Sequence, residues 1–170
     1  MTVLVRDATR DDVPAILAIY NDAVLHTTAT YDLEPVTLAD RLAWYDGRRA
    51  LGHAVLVAED AGRVVGFGSW GTFRAKAGYD RTMEHSVYVD AAAQGRGTGR
   101  LLLRAIIDTA RAAGVHALIG VLDADNAASV RLHESFGFVA CGRLPQVGAK
   151  FGRWLDLAFH ELLLDADPTP

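Results

Sequence analysis

A glycine-rich segment in the middle of the chain is well suited to bind an anion. It reads QGRGTGRLLLRAII from Gln94 to Ile107, with three glycines at alternate positions directly before an apolar helical pattern. Glycine lacks the Cβ atom that would keep a ligand away from the backbone, and the first N–H groups of a helix are unpaired donors with partial positive charge. From these residues alone, the segment is either a cradle for a phosphate-like anion or a tight strand-to-helix turn without a ligand.

Arginines lie within the same segment. Arg96, Arg100 and Arg104 are spaced by four, which is typical of a solvated helix face but also suits a phosphate-bearing small molecule at a helix start. Two common phosphate loops do not match, because GxxxxGK[ST] does not occur and the glycines form GxGxG instead of GxGxxG. The spacing therefore disfavours a P-loop nucleotide hydrolase and a Rossmann oxidoreductase.

The strand-like run before this segment, TMEHSVYV from Thr82 to Val89, contains one carboxylate. Side chains alternate along a strand, so Glu84 shares a face with Ser86 and Tyr88, and an apolar face lies opposite. A carboxylate in such surroundings is either one half of an ion pair or a base whose pKa is raised by burial. The residues alone leave both alternatives open.

Length and composition predict one domain in a reducing compartment. The chain has 170 residues, 51% of them hydrophobic and 22% charged, and its single cysteine excludes an internal disulfide framework. No apolar run reaches the ~18 residues of a membrane span, and the N-terminus lacks a signal-peptide pattern, so we expect a cytoplasmic protein without a membrane partner.

The charged and metal-binding residue types disfavour two further ligand classes. The net charge of −4 argues against a nucleic-acid surface. The histidines show no metal-ligand spacing, which predicts no metal, and Cys141 is predicted to be a buried thiol.

The periodicity of apolar residues predicts one α/β domain over residues 1–164, with residues 165–170 as a frayed tail. Strands are predicted at 2–6, 53–59, 63–73, 82–89, 115–122, 138–143 and 153–164, and helices after Thr9, from Thr37 through Trp44, over 98–113, and from Asp125 or Asn126 to Phe136. A helix connects strands 82–89 and 115–122, so these two are expected to be parallel. The fold class is α/β: a single domain with a mixed central β-sheet and helices on both faces.

Two segments resemble the signatures of the GNAT acetyltransferase superfamily. QGRGTG, after a strand ending in VYV, resembles the family's Q/R-x-x-G-x-G/A loop. NAASVRLHESFGF resembles its N-x-x-A/S-x-x-L-Y-x-x-x-G-F segment, with matches at Asn126, Ser129, Leu132, Gly137 and Phe138. Nearly the whole chain resembles the phosphinothricin/methionine sulfoximine N-acetyltransferase branch, most specifically through GAKFGRWLDL at 148–157. The resemblance implies a GNAT-like fold.

The resemblance also implies acetyl-coenzyme A (acetyl-CoA) as cosubstrate. In the family, N–H groups of the glycine loop hold the pyrophosphate, and the backbone of the preceding strand pairs with the acyl and pantetheine amides. Asn126 would bind the pantetheine arm, and Ser135 would lie near the nucleotide end. The implied cofactor-binding residues are Ser86, Val87, Tyr88, Val89, Gln94, Gly95, Arg96, Gly97, Thr98, Gly99, Arg100, Asn126 and Ser135.

Two side chains are predicted to be catalytic on the strength of the resemblance. The branch's catalytic glutamate corresponds to Glu84, which would take the proton of the amine directly or through a water. A backbone N–H of the same strand, at Val87 or a neighbour, would stabilise the oxyanion. His133 stands where the superfamily often has a tyrosine that protonates the leaving thiolate. It would act as an acid, a second base or a neutral hydrogen-bonding group, and a buried core histidine is the alternative.

The substrate-binding residues that the branch implies are Thr30, Tyr31, Phe73, Arg74, Tyr79 and Lys150. Arg74 would pair with a carboxylate, with a solvated surface arginine as the alternative. Lys76, Arg81 and Met83 depart from the branch, so the preferred amine stays open. The branch's known members are dimers, which implies a homodimer with the 148–157 block near the subunit boundary and Lys150 facing the partner's site.

The implied reaction is acetyl transfer from acetyl-CoA to the α-amino group of a small amino-acid analogue of the methionine sulfoximine, methionine sulfone or phosphinothricin type. A peptide N-terminus or a polyamine is the alternative acceptor, and the cationic Arg74 and Lys76 argue against a polyamine. A CoA-binding regulator without turnover is the alternative from another class. Glu84 and the complete block around Trp154 argue against such a regulator.

Overall fold

The computed structural model describes residues 3–165 and contains four α-helices and seven strands in that range. In chain order these are β1 (Leu4–Asp7), α1 (Val13–His26), α2 (Leu38–Ala50), β2 (Val55–Asp60), β3 (Arg63–Thr72), β4 (Thr82–Val89), α3 (Thr98–Ala112), β5 (Ala117–Asp123), α4 (Ala127–Glu134), β6 (Val139–Lys150) and β7 (Arg153–Leu163). The strands form one sheet in the order β1-β2-β3-β4-β5-β7-β6. The pair β4–β5 is parallel and the other neighbouring pairs are antiparallel, which confirms the predicted mixed sheet.

Apolar side chains cover both faces of the sheet. Successive residues of β2 show this, because Val55 and Val57 join one buried cluster while Leu56 and Ala58 join the other. Helices α1 and α2 pack on the first face through Val13, Ile16, Ile19, Tyr20, Val24 and Tyr45. Helix α3 packs on the second face through Leu102, Leu103, Ile106, Ile107 and Ala110. The prediction of helices on both faces is confirmed.

Local sequence signals place several boundaries correctly. The predicted bounds of β4 agree with the structure, and α2 begins with a capping box in which the Asp40 N–H donates to the Thr37 hydroxyl at 3.2 Å and the Thr37 N–H donates to the Asp40 carboxylate at 3.0 Å. Helix α3 begins at Thr98 as predicted, and Gly114 follows its end with a φ of 77°.

Strand β6 differs from its prediction. It was expected to end at Arg143, yet it continues to Lys150 and pairs with β7 along its length. Pro145 lies within the additional part of the strand. It is tolerated because β6 is an edge strand, where a residue without an N–H can be accommodated, and the register shifts between Leu144 and Gly148. The predicted burial of Cys141 is wrong for the same reason, because this edge strand leaves the thiol exposed.

The C-terminal tail is described only at its first residue. Asp165 accepts a hydrogen bond from Arg81 at 2.6 Å and also contacts His116. Residues 166–170 of the predicted tail lie outside the described residues. Among the helices of residues 3–165, none is long and apolar enough to cross a membrane.

The pairing between β4 and β5 is short, and this shapes the rest of the molecule. It runs only from Thr82 opposite Ala117 to His85 opposite Gly120. Beyond that point, residues 86–89 of β4 pair with β3 alone, and residues 121–123 of β5 pair with β7 alone. The two strands therefore diverge, and one backbone edge of β4 has no strand partner over its last four residues.

Candidate active site

A cavity of about 600 Å³ lies where β4 and β5 diverge. The end of β4, the glycine loop, the start of α4 and the segment after α1 contribute to its walls. Of the predicted site residues, the structure brings together Thr30, Tyr31, Glu84, Ser86, Val87, Tyr88, Val89, Gln94, Gly95, Gly97, Thr98, Gly99, Asn126 and His133 in this lining. The predicted residues Phe73, Arg74, Tyr79, Arg96, Arg100, Ser135 and Lys150 are not part of that lining.

The glycine loop has the geometry that requires glycine. Gly95 and Gly97 have φ values of 72° and 86°, which side chains other than glycine rarely adopt, and a Cβ atom at either position would meet no heavy atom within 4 Å. Gly97 is the N-cap of α3 and provides no side-chain acceptor, in contrast to Thr37 at α2 and Asn126 at α4. The first N–H groups of α3 are thus free to bind an anion.

Neighbouring groups fix the loop in place. The Gln94 side-chain amide donates to the carbonyl of Val89 at 3.2 Å, and Thr98 is buried beneath the loop. Asn126 accepts the N–H of Ser129 at 3.1 Å through its side-chain oxygen, so its amide NH₂ is the group left to face the cavity.

The predicted arginines and Ser135 lie beside the loop. Arg100 donates to the Ser135 hydroxyl at 3.0 Å and stacks on Phe136 at 4.8 Å. Arg96 lines a separate cavity of about 170 Å³ together with Asp60 and Arg63. Arg100 and Ser135 therefore form a pair near the glycine loop, whereas Arg96 faces a different surface.

Glu84 is a half-buried carboxylate without an ion-pair or hydrogen-bond partner among residues 3–165. Burial raises its pKa above the ordinary value, and the positive charges of Arg74 and Arg48 only partly offset that effect. Of the two alternatives that the sequence left open, the ion pair is not formed within residues 3–165, and the role of Glu84 as a base stays a prediction. Arg48 on α2 was missed by the sequence analysis, because its proximity to Glu84 depends on how α2 packs on the sheet.

His133 and His85 form a buried pair at the point where β4 and β5 part. The Nδ1–H of His133 must donate to the Ser129 carbonyl at 2.7 Å, because a carbonyl only accepts, so its Nε2 accepts the Nε2–H of His85 at 3.0 Å. Burial lowers the pKa of both rings, that of His85 to about 3, and keeps them neutral. Gly120 makes room for the pair, since a Cβ atom there would lie 3.0 Å from His133 and 3.1 Å from His85.

Both ring nitrogens of His133 are therefore engaged within the protein. Although the ring borders the cavity, it is buried, and neither nitrogen is free for a ligand in this tautomer. This arrangement fits a neutral hydrogen-bonding group as well as the alternative of a buried core histidine, and a catalytic role of His133 stays a prediction.

The implied substrate residues occupy two regions. Phe73, Arg74 and Tyr79 lie in the loop between β3 and β4, where Arg74 stacks on Phe73 at 4.3 Å and the rings of Phe73 and Tyr79 are 6.0 Å apart. Thr30 and Tyr31 form part of the cavity wall on the other side. Burial raises the pKa of Glu84 and the positive charge of Arg74 partly offsets this rise, so the loop between β3 and β4 influences this carboxylate electrostatically.

The hairpin of β6 and β7 supports the wall at Thr30 and Tyr31. Lys150 is buried, and its ammonium donates to the Thr30 carbonyl at 2.9 Å, while the Tyr31 hydroxyl donates to the Asp156 carbonyl at 3.1 Å. Gly148 accommodates the Tyr31 ring, because a Cβ atom there would lie 2.5 Å from it. The Lys150 ammonium thus contacts its own chain, and the expectation that Lys150 faces a partner's site stays a prediction.

Within residues 3–165, no group of three or more His, Cys, Asp or Glu side chains is arranged to hold a metal ion. The cavity thus combines one unpaired carboxylate, an anion-ready helix start and an open strand edge. Together these can bind an anionic extended ligand and remove a proton from a second ligand beside it.

The buried histidine pair predicts a pH dependence of stability. The unfolded chain binds a proton at His85 near the ordinary pKa of 6.5, whereas the folded protein does so near pH 3, so folding is favoured above pH 6.5 and weakened below it. Between pH 6.5 and 5.0, protonation of His85 should lower the free energy of unfolding by about 2 kcal/mol, at ~1.36 kcal/mol per pH unit.

Urea unfolding of the wild type and of His85→Asn at pH 7.5, 6.5 and 5.0 gives this free energy and its slope with pH. Equal slopes for His85→Asn and the wild type would contradict the neutral pair.

Comparison with known proteins agrees with this geometry. The acetyltransferase (GNAT) family matches residues 16–138. The L-methionine sulfoximine/L-methionine sulfone acetyltransferase of Pseudomonas paraeruginosa is 51% identical to the chain, over 97% of this chain and 96% of that protein. A phosphinothricin N-acetyltransferase of Streptomyces coelicolor is 36% identical, over 94% of this chain and 95% of that protein.

Comparison with solved structures also finds acetyltransferases of the same fold. A Salmonella typhimurium protein solved with its cofactor acetyl-CoA superposes with a TM-score of 0.97 at 48% identity, covering 100% of this chain and 98% of that one. A ribosomal-protein-alanine N-acetyltransferase from Brucella melitensis gives a TM-score of 0.93 at 51% identity, covering 95% and 99%. On the family match, these identities and the shared fold, the chain belongs to the acetyltransferase (GNAT) family.

Proposed function

We propose that this protein transfers the acetyl group of acetyl-CoA to the α-amino group of a small amino acid of the methionine sulfone, methionine sulfoximine or phosphinothricin type. The observation that carries the proposal is that an unpaired, half-buried Glu84 shares one cavity with the uncapped glycine loop. The names of relatives at about half identity support the substrate class.

The residues lining the cavity fit acetyl-CoA. The free N–H groups from Gly95 to Gly99 would bind the diphosphate, with Gln94 and Thr98 holding the loop and the Arg100–Ser135 pair beside it. The unpaired edge of β4, from Ser86 to Val89, would hydrogen-bond the amides of the pantetheine arm, and the Asn126 amide would donate to the same arm. Arg96 lines the smaller cavity and contributes only general positive charge.

Glu84 would prepare the amine for attack. The amine binds as an ammonium, which has no lone pair, and the carboxylate takes its proton directly or through a water. The nitrogen then forms a bond to the acetyl carbon and the bond from that carbon to sulfur breaks. The second proton that the nitrogen loses goes to the leaving thiolate, directly or through water, so that an amide and the free thiol of CoA are formed. The backbone N–H of Val87 or a neighbour on the open edge of β4 would donate to the oxygen that carries the transient negative charge. His133, as a neutral ring held by Ser129 and His85, would support this edge rather than supply a proton.

The amine-binding half of the site is proposed to lie between two regions. Thr30 and Tyr31 would form one wall, which Lys150 supports from behind. The Phe73, Arg74 and Tyr79 loop would form the other, with the Arg74 guanidinium attracting an acidic or strongly polar group of the substrate.

A peptide N-terminus is the second candidate acceptor, because the Brucella melitensis structure at 51% identity carries the name of a ribosomal-protein-alanine N-acetyltransferase. Two arginines whose charges act on Glu84 favour a substrate with its own negative charge instead. They also disfavour a polyamine. A regulator without turnover would have no need of an unpaired carboxylate in the cavity, which costs stability on burial.

Replacement of Glu84 tests the proposed base. We expect Glu84→Gln to lower kcat by about 10²–10⁴-fold, the usual contribution of general-base catalysis, while acetyl-CoA affinity stays close to that of the wild type. Thiol release would be followed with methionine sulfone, methionine sulfoximine, phosphinothricin, spermidine and a peptide with N-terminal alanine. Glu134→Gln, at an exposed position on α4, is the matched control. Turnover by the wild type on spermidine or the peptide alone would overturn the proposed substrate class, and full activity of Glu84→Gln would exclude the base.

The glycine loop is tested by Gly97→Asp. The added carboxylate at the start of α3 opposes the negative diphosphate and covers its N–H donors, so acetyl-CoA should bind at least about 100-fold more weakly in calorimetry. Gly62→Asp in the turn between β2 and β3 is the control, because Gly62 also has a positive φ, 79°, and open space around its Cβ position. The control separates backbone strain from loss of the anion site. Unchanged affinity of Gly97→Asp would show that this loop does not bind the diphosphate.

We further propose that the protein acts in the cytoplasm.

We also propose that two copies of the protein associate through the β6–β7 hairpin. The hairpin leaves Val139, Leu144, Val147, Phe151 and Trp154 exposed at the sheet edge, with Trp154 65% exposed. Several exposed apolar side chains along one hairpin at the edge of a sheet are typical of a surface covered by a partner. The sequence resemblance implies the same position for the 148–157 block.

Sedimentation measures this association. A charge in a desolvated interface is costly, so Trp154→Glu should convert a dimer into a monomer at micromolar concentration. Leu51→Glu, at an exposed apolar residue after α2, should leave the wild-type mass unchanged. A wild type that sediments as a monomer throughout would contradict the proposed dimer.

A further inference from the structure

Arg48 is a half-buried cation that the proposed mechanism does not use. It lies on the face of α2 that turns toward the sheet, at helical spacing from Arg41 and Tyr45. Arg41 stacks on Tyr20 at 3.7 Å, and the Tyr45 hydroxyl donates to the Ala8 carbonyl at 2.9 Å. The guanidinium of Arg48, by contrast, makes no ion pair or side-chain hydrogen bond with any of residues 3–165.

A glycine on the neighbouring strand makes room for this guanidinium. A Cβ atom on Gly71 would lie 1.1 Å from Nη1 of Arg48 and 2.3 Å from its Cζ, so no larger residue fits at Gly71 with Arg48 in place. Gly71 is directly opposite Glu84 in the β3–β4 ladder. Residues directly opposite each other share a face of the sheet and lie about 5 Å apart at Cβ, so the guanidinium is a side-by-side neighbour of the Glu84 carboxylate.

The positive charge of the Arg48 guanidinium has no paired anion among residues 3–165. Burial lowers the pKa of Arg48, and the charge of Glu84 counteracts this effect without forming an ion pair. A partly desolvated guanidinium gains more from a bidentate anion than an exposed one, because water screens it less. Arg74 differs in each respect, since it is exposed, lies in a loop, and already donates to the Phe73 carbonyl at 3.1 Å while it stacks on that ring.

We propose that Arg48 binds the α-carboxylate of the amino-acid substrate while Glu84 holds its amino group. The proposal rests on the proposed function and adds the residue that selects α-amino acids. The amine nitrogen and the carboxylate of such a substrate are both bonded to the same carbon. The two groups that recognise them must therefore be neighbours, as Arg48 and Glu84 are across Gly71. Arg74 is then left for the polar group at the far end of the side chain.

The test compares two amines that differ only in the carboxylate: L-methionine sulfone and 3-(methylsulfonyl)propylamine. Because the charge of Arg48 also acts on Glu84, Arg48→Gln should lower kcat/KM for both amines, but by about 10- to 100-fold more for methionine sulfone. Gly71→Ala should produce the same selective loss by displacing the guanidinium. Arg49→Gln is the matched control, because the neighbouring Arg49 is exposed and lies 3.9 Å from Asp7. Acetyl-CoA affinity and thermal unfolding confirm that each variant is folded.

Each remaining outcome overturns the proposal in a distinguishable way. An equal loss on both amines would assign Arg48 to the support of Glu84, and no loss on either would remove it from the site. A selective loss in Arg74→Gln but not in Arg48→Gln would place the carboxylate at Arg74. In these cases the wild type still acetylates methionine sulfone, so the proposed function stands. A wild type that acetylates only the peptide would overturn both.

Discussion

The early end of the pairing between β4 and β5 is the constraint on which the rest of the site depends. Parallel strands normally satisfy each other's backbone groups along their length, but here the ladder stops at His85 and Gly120. The histidine pair fills the space at that point, and a Cβ atom at position 120 would contact both rings more closely than is usual. The backbone edge of β4 beyond His85 is consequently available to a ligand, and the cavity lies beside it.

The proposed role of Glu84 as a base sets its burial against its function, and the charges around it bear on this conflict. A base must be ionised to accept a proton, yet burial favours its neutral form. A direct ion pair would keep it ionised but would lower its basicity and occupy it. The structure instead places two arginines close enough to act on the carboxylate without pairing with it. This arrangement leaves the carboxylate free and gives the substrate side of the cavity a positive charge.

The two proposed halves of the site would be built from different kinds of groups. The proposed cofactor half consists mainly of backbone N–H groups on the glycine loop and on β4, so it would tolerate many side-chain changes. The proposed amine half would depend on side chains from α2, the β3–β4 loop and the segment after α1, of which only the last lines the cavity itself. The hairpin of β6 and β7 supports that segment through Lys150 and Tyr31, and this connects the exposed sheet edge to the substrate wall.

The sequence by itself determined the features that local patterns encode: the glycine loop, the bounds of β4, the capping box of α2, and Glu84 with its place on one face of a strand. Such features depend on residues a few positions apart, so spacing reveals them. The tertiary structure alone decided that β6 continues past Pro145 as an edge strand, that Cys141 is exposed, and that both nitrogens of His133 are engaged. It also decided that Arg48 stands beside Glu84, because that contact requires α2 to pack over Gly71 and β3 to pair in one register with β4. Contacts between distant segments follow from packing and register, which no local pattern specifies.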